Sequence, residues 1–338
     1  MVNRGPQEIV ANPNIPGEAP ALSVVVTVVE GGAALTRCLD ALGAQQGAPA
    51  LEVIVPFDEA IPEVRRLNAR YPFVRFVEMG AITADDNRNA FDEHALYERR
   101  RAAGLRVATG RLAALVEDRG APRTDWAAAM IALHDRRPDG AIGGVVEHGG
   151  RGALRWALYI CDFGRYQPGV PEGAVEYLSD VNICYKRESL ETVRHLWRDI
   201  YQESTVNWAL RRSGEALYLS HLPVVVEQRA VARLWPVMQE RMHWARIFAH
   251  VRGREATSRS ACVVWAVATA VLPAVLLIRH VRRQLEIGRH LPEFVRALPA
   301  LLLLLLCWSL GEFLGYLEAA LAWRPRHPAA DAEHAAGS

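Results

Sequence analysis

Apolar and polar residues alternate along residues 22–147 in blocks that are typical of an α/β protein. Short runs rich in β-branched residues predict strands buried on both faces, at 22–29, 51–55, 73–77, 112–116 and 141–147. Helical periodicity separates these runs, at 33–44, 61–70, 93–109 and 125–135. This alternation predicts a mostly parallel sheet with helices on both faces.

The pattern becomes less regular after residue 147. Helices are expected near 153–159 and at 203–213, on either side of a loop rich in glycine and proline at 163–173. Strands are expected at 181–185, 216–219 and 224–227.

Two long apolar segments mark the C-terminal part of the chain. Residues 261–278 carry no charge, and residues 298–323 include six consecutive leucines. About 20 apolar residues are enough to cross a bilayer, so the segments predict membrane association. Arginines cluster in the linker between them, which favours a helical hairpin with that linker on the cytoplasmic side. Whether the hairpin spans or lies re-entrant is left open.

These patterns suggest a division of the chain into five parts. Residues 1–21 form a flexible tail, and residues 22–230 form the main domain. Residues 231–260 are expected to form an amphipathic helix that lies on the membrane surface or covers the sheet. Two hydrophobic membrane helices with a basic linker occupy 261–323, and 324–338 form a disordered tail.

Composition narrows the class of protein. The net charge of +1 over 338 residues argues against a nucleic-acid binder that neutralises phosphates. Lys186 is the only lysine, so arginine supplies nearly all of the positive charge. This bias suggests a GC-rich genome more than selection for a basic surface. The five cysteines are scattered, without the spacing of a disulfide framework or a zinc site, so a reducing compartment is expected.

Acidic residues follow two of the predicted strands. Asp58 comes after the second strand, and Glu117 and Asp118 follow the fourth. Ligands bind at the carboxyl ends of strands in open α/β sheets, although acids there also cap helices. A pair of acids at such an edge can hold a divalent cation against a diphosphate.

Several sequence blocks resemble glycosyltransferase family 2. The opening SVVVTVVEGGAALTRCLDALGAQQGAPALEVIVPFDEA is similar to its nucleotide-binding half, and RRRAAGLRVATGRLAALVED to the block that ends in its acidic metal motif. The later runs YLSDVNICYKRESL and YQESTVNWALRRSGEALYLSHLPVVVEQ resemble its acceptor-side strand and the segment with its catalytic acid. The resemblance covers about residues 22–250 and implies a GT-A fold.

The resemblance assigns roles to individual residues. It implies Glu203 as the catalytic base, and Glu117 with Asp118 as ligands of Mg²⁺ or Mn²⁺. It also implies a set of donor-binding residues, namely Thr27, Glu30, Asp58, Arg101, Asp118 and Arg119. Two positions depart from the family pattern: Arg119 stands where an aspartate is usual, and the base position reads Gln202–Glu203. Arg119 would stabilise a diphosphate through its guanidinium group instead.

Five further residues are candidates for the acceptor side. Asp162, Arg165 and Tyr166 lie in the loop rich in glycine and proline, which is equally an ordered surface loop. Asp180 and Asn182 precede a late strand, where an Asx turn is the alternative to contact with the sugar.

Together these features predict an inverting glycosyltransferase at the membrane, with its catalytic domain facing the cytoplasm and a bacterial inner membrane as the expected location. It would transfer a sugar from a nucleotide-sugar donor to a hydroxyl group of a lipid or lipid-linked acceptor. Three alternatives stay open: a catalytically silent scaffold, transfer to a polyprenyl phosphate, and nucleotidyl transfer. The sugar, the acceptor and whether the chain forms a homo-oligomer are not determined by the sequence.

Overall fold

The computed structural model describes residues 20–80, 90–230, 233–254 and 258–323. The expected tails at 1–21 and 324–338 therefore lie almost wholly outside the described residues. Within these ranges the residues form two compact units. The first falls within Met1–Gly149 and Tyr166–Arg229, and the second within Gly150–Arg165 and Ala230–Ser338.

The first unit contains a mixed sheet surrounded by helices. Its strands are β1 (Leu22–Thr27), β2 (Glu52–Phe57), β3 (Val74–Glu78), β4 (Leu112–Glu117), β5 (Gly120–Pro122), β6 (Ala141–His148), β7 (Gly173–Ala174), β8 (Asn182–Lys186) and β9 (Leu217–Glu227). Its helices are α1 (Gly32–Gly43), α2 (Ala90–Val107), α3 (Trp126–Arg136), α5 (Arg187–Thr192), α6 (Arg194–Trp197) and α7 (Glu203–Arg212). Helix α4 (Ala153–Phe163), which the sequence placed in the main domain, belongs to the second unit.

The strands lie side by side in the order β3, β2, β1, β4, β8, β6, β9, β5, with β7 paired to β9. Strands β3, β2, β1 and β4 are parallel, whereas β8 runs antiparallel between β4 and β6. Six of the nine strands point the same way, so the mostly parallel α/β sheet predicted from the sequence is confirmed. Because β8 is antiparallel to β4, the start of β8 lies beside the carboxyl end of β4.

The central strands form because their residues are mostly apolar and can be buried on both faces of the sheet. All six residues of β1 are buried, and α1 covers the sheet with Leu35, Cys38, Leu39 and Leu42. Helix α2 packs so closely on β1 that a Cβ at Gly104 would lie 2.3 Å from a methyl carbon of Val25. Only glycine allows this approach.

Two local predictions were wrong. The expected helix at 61–70 is a short 3-10 helix, Pro62–Leu67. The two strands expected at 216–219 and 224–227 are one strand, β9, whose pairing with β6 shifts register between Gly144 and Val145. The shift lets the chain pass Pro223, which cannot donate a hydrogen bond to the ladder.

The second unit is helical. Besides α4 it contains α8 (Leu234–Arg254), α9 (Arg259–Ala268), α10 (Leu272–Ile287) and α11 (Leu291–Ala322), with a short 3-10 turn at Thr269–Val271. Within the described ranges, two helical segments are long and apolar enough to cross a membrane, Arg259–Ile287 and Leu291–Ala322. Most of the basic linker expected between two apolar helices is itself helical, and only Gly288, Arg289 and His290 separate α10 from α11.

Candidate functional site

A cluster of carboxyl groups surrounds one buried arginine at the carboxyl end of β4. Helix α2 supplies Arg101, which is only 3% exposed. Its Nη2 atom lies 2.6 Å from Oε1 of Glu117, the last residue of β4, and 3.0 Å from Oδ2 of Asp180. Asp180 reaches this point because it lies two residues before the antiparallel strand β8. The cluster therefore joins three segments that are distant in the sequence.

Glu203 lies at the edge of the same cluster, at the first position of α7. Its Oε1 atom accepts a hydrogen bond of 3.1 Å from the backbone N–H of Asp180. The Tyr177 hydroxyl also hydrogen-bonds to this carboxyl group. Burial, together with the negative charge of Asp180, raises the pKa of Glu203 well above its usual value. The carboxyl group can therefore hold a proton under conditions in which an exposed glutamate has lost it.

Two further carboxyl groups of the cluster have raised pKa values. Burial raises the pKa of Glu98 to about 7, although Arg101 opposes the change. Burial also raises the pKa of Glu117, again against the lowering effect of Arg101. One guanidinium group cannot neutralise four neighbouring carboxylates in a site that water hardly reaches. The cluster is thus a place where protons can be taken up and released.

Asp118 is buried, and its carboxylate holds the loop between β1 and α1. It accepts hydrogen bonds from the backbone N–H groups of Val29, Glu30 and Gly31, at 3.1, 3.1 and 2.6 Å. Gly31 can present its N–H in this direction because it adopts a positive φ of 69°. Both carboxylate oxygens of Asp118 are engaged in this way.

The residues expected to bind a metal do not form a preformed metal site. Glu117 is turned to Arg101, and Asp118 is held by backbone donors. Among the residues that the structure describes, no group of three or more acidic, histidine or cysteine side chains is placed to hold a metal ion. A divalent cation would have to displace existing partners, because few carboxylate lone pairs remain for it.

The other expected donor-binding residues lie at the same edge of the sheet. The Glu30 carboxylate pairs with Arg119, whose Nε atom is 3.0 Å from Oε1. The hydroxyl oxygen of Thr27 is buried at the end of β1 and has no hydrogen-bond partner among the residues that the structure describes. Asp58 is buried and forms an ion pair with Arg100, at 2.8 Å. A nucleotide would compete with these internal partners for Glu30, Arg119 and Asp58.

The expected acceptor-side residues do not all share one environment. Asp180 belongs to the Arg101 cluster, whereas Asn182 is buried in the sheet. The Asn182 amide group donates to the carbonyl oxygens of Val145 and Pro223 and accepts from the Trp126 indole, which uses all its hydrogen-bonding groups except one lone pair.

The remaining three candidates are divided between the two units. Tyr166 is buried in the first unit, and its hydroxyl lies 3.5 Å from the carbonyl oxygen of Tyr177. Asp162 and the exposed Arg165 belong to the second unit, where Asp162 pairs with Arg241.

Sequence reasoning missed three residues at this edge: Glu98, Arg100 and Tyr177. Arg100 is one of three consecutive arginines on α2, and successive helical residues point about 100° apart. Only the packing of α2 on β1 shows that Arg100 and Arg101 are the two that turn inward. Apart from its position three residues before Asp180, nothing in the sequence indicates that Tyr177 belongs to the site.

No family model and no curated protein matches the sequence. Among solved structures, the chain is similar to the mannosyltransferase PcManGT from Pyrobaculum calidifontis in complex with GDP-Man and Mn²⁺, with 18% identity and a TM-score of 0.44. That similarity covers 95% of this chain and 80% of the other. S. aureus TarS in complex with UDP shows 15% identity and a TM-score of 0.43, covering 65% of this chain and 63% of the other.

Proposed function

We propose that the chain is a glycosyltransferase that uses a nucleotide-sugar donor. The observation that carries the proposal is the meeting of Arg101, Glu117, Asp180 and Glu203 in one cluster. These residues come from three separate sequence blocks that each resemble glycosyltransferase family 2. Their convergence at the carboxyl edge of the sheet, where α/β folds bind ligands, supports a shared role in chemistry.

The proposed reaction is a single displacement with inversion at the anomeric carbon. The acceptor hydroxyl oxygen forms the new bond to that carbon, and the bond to the nucleoside diphosphate breaks with its electron pair on the leaving oxygen. Glu203 takes the proton of the hydroxyl group. Burial of Glu203 suits it to this task, because a base with a raised pKa holds the proton more strongly.

In this proposal, arginines balance the charge of the leaving diphosphate. Arg119 is the first candidate, because its ion pair with Glu30 is partly exposed and a diphosphate can compete for it. Arg101 would contribute its positive charge from inside the cluster, because it is buried among the carboxyl groups. The Thr27 hydroxyl, which has no partner within the described part of the chain, can donate to a ligand oxygen at the end of β1. No step is assigned to a metal ion.

The acceptor we propose is a lipid or lipid-linked molecule with a free hydroxyl group. The support is the second unit, whose apolar helices fit a protein attached to a membrane. With the arginine-rich linker, this favours a catalytic unit on the cytoplasmic side.

A catalytically silent scaffold is the second candidate, and one observation favours it. Asp118, the expected metal ligand, already has both carboxylate oxygens bonded to the backbone. A protein that kept the fold but lost the metal would show this arrangement.

The two candidates are separated by measuring nucleoside diphosphate release. The full chain in lipid vesicles is incubated with UDP- and GDP-sugars, with and without Mg²⁺ or Mn²⁺. The glycosyltransferase proposal predicts release from at least one donor, weakened about tenfold or more in Arg119→Ala but not in Arg106→Ala, an exposed arginine of α2. Release from no donor, with or without metal, would favour the silent scaffold.

A further inference from the structure

Helices α8 and α11 of the second unit run parallel and in close contact. A Cβ at Gly311 would lie 2.0 Å from the carbonyl oxygen of Met242, and one at Gly315 would lie 2.3 Å from that of Arg246. The two contacts advance by four residues along each helix, so the helices point the same way. Any tilt of α11 relative to a bilayer is therefore shared by α8.

An ion pair lies beside the C-terminal half of α11. Arg246 of α8 pairs with Glu318 through Nε, at 2.9 Å, in a partly exposed ion pair. Towards the other end, the ring of His290 lies 5.0 Å from that of Trp156 on α4. Asp162 of α4 pairs with Arg241 of α8, so these two helices are themselves linked.

The remaining faces of the long helices expose apolar side chains to the surroundings. On α11 the exposed apolar residues form one stripe, consisting of Val295, Leu302, Leu306, Leu310, Phe313 and Leu321. A second stripe runs along α9 and α10, consisting of Val264, Val267, Val271, Val275, Ile278 and Leu285. Such stripes at helical spacing are too large for the surface of a soluble unit and mark contact with an apolar phase.

A transmembrane arrangement conflicts with this packing. Helix α11 has 32 residues, about 48 Å at 1.5 Å per residue, against a hydrocarbon core of about 30 Å. If the part of α11 that contacts α8, around residues 311–318, crossed the core, the parallel α8 would cross with it. The exposed side chains of Arg246 and Arg252 would then lie in or near the hydrocarbon, where a charged group has a high free energy.

We propose that α9, α10 and α11 lie in the plane of one leaflet of an anionic phospholipid membrane and do not cross it. Both apolar stripes then contact acyl chains, while α4 and α8 stay on the aqueous side. Exposed arginines near the turn between α10 and α11 bind the lipid phosphates, namely Arg279, Arg282, Arg289 and Arg296. This inference concerns the second unit alone and does not rest on the proposed reaction.

Depth measurements along α11 test the proposal. A fluorophore is attached to single cysteines at 295, 302, 306, 310, 313 and 321, in a chain whose five native cysteines are replaced. The labelled protein is bound to vesicles whose lipids carry bromine at known depths. An in-plane helix predicts the same shallow depth, about 5–10 Å, at all six positions. A spanning helix predicts depths that change along about 39 Å, with the deepest label near the middle.

A second measurement uses the unlabelled chain with its native cysteines. Leu306→Glu with Leu310→Glu should reduce flotation with vesicles of phosphatidylglycerol and phosphatidylcholine at least tenfold. Leu222→Glu should leave it unchanged, because this exposed leucine belongs to the first unit. Raising the salt concentration, or omitting phosphatidylglycerol, should weaken binding. A depth profile that passes through the bilayer centre would overturn the proposal, and so would flotation that the double substitution does not change.

Discussion

Arg101 is the residue on which the carboxyl cluster depends. Replacing it by glutamine would leave Glu117 and Asp180 without their cation in a buried site. Breaking a buried pair by removing one partner costs about 3–5 kcal/mol. We expect Arg101→Gln to lower Tm at pH 8 by roughly 6–12 °C, for a loss of about 3 kcal/mol.

The control variants distinguish this effect from a general loss of packing. Adding Asp180→Asn to Arg101→Gln should recover part of the lost stability, because one uncompensated charge is removed. Arg106→Gln on the same helix should change Tm little, since its ion pair is exposed. Equal losses in the single and double variants would show that Arg101 does not act by neutralising Asp180.

Glu98 is one of the buried carboxyl groups whose raised pKa makes the stability of the fold depend on pH. Its pKa is about 7 in the folded chain, because of burial, and near 4.5 when unfolded. Between these pH values the folded state holds more protons, so the free energy of unfolding falls as the pH rises. Each unit by which the pKa of the folded state differs from that of the unfolded state changes the free energy of unfolding by about 1.4 kcal/mol. We expect Tm to fall between pH 5 and 7.5, and Glu98→Gln to reduce that slope in thermal unfolding measured across the range.

At the scale of elements, the packing of α2 on β1 positions both inward-facing arginines. A Cβ at Gly104 would meet Val25 at 2.3 Å, and strand β1 cannot yield because it lies in the middle of the sheet. Gly104→Ala should therefore push α2 outward, lower stability by about 1–3 kcal/mol and disturb the pairing of Arg100 and Arg101. Hydrogen exchange of the α2 amides should rise in this variant and not in Arg106→Ala. Unchanged exchange would show that α2 tolerates the extra methyl group.

The sequence predicts elements where burial and composition agree. The strands β1, β2, β4 and β6 could be predicted because each is a run of buried apolar residues between turns. The segment 61–70 reads as a helix by its apolar spacing, but it completes only the short 3-10 helix Pro62–Leu67. Periodicity cannot show how many turns a segment completes.

The candidate site could be predicted only where residues follow strands directly. Glu117 and Asp118 could be placed because parallel strands end at one edge of a sheet. The pairing of Asp58 with Arg100 could not, because it depends on the rotation of α2 about its axis. The contact of Asp180 with Arg101 also requires an antiparallel strand β8, which the sequence does not reveal.

At the scale of the whole molecule, the chain combines an α/β unit with a cluster of titratable groups and a helical unit with exposed apolar stripes. The carboxyl cluster of the α/β unit suits a reaction on a polar donor, and the exposed stripes of the helical unit suit attachment to lipid. The proposed function joins the two in one reaction, in which Glu203 accepts the proton of a lipid-linked hydroxyl group.

Turnover of the Glu203→Gln variant tests this account most directly. Glutamine keeps the size and hydrogen bonding of the side chain but cannot take the proton, and general-base catalysis is worth about 10²–10⁴-fold. With vesicle-bound full chain, sugar transfer should fall by that factor, while nucleoside diphosphate binding, measured by thermal shift, stays intact. In the parent chain, turnover should rise with pH as Glu203 loses its proton. Near-normal turnover in Glu203→Gln would contradict the account and favour an acceptor phosphate that is already ionised.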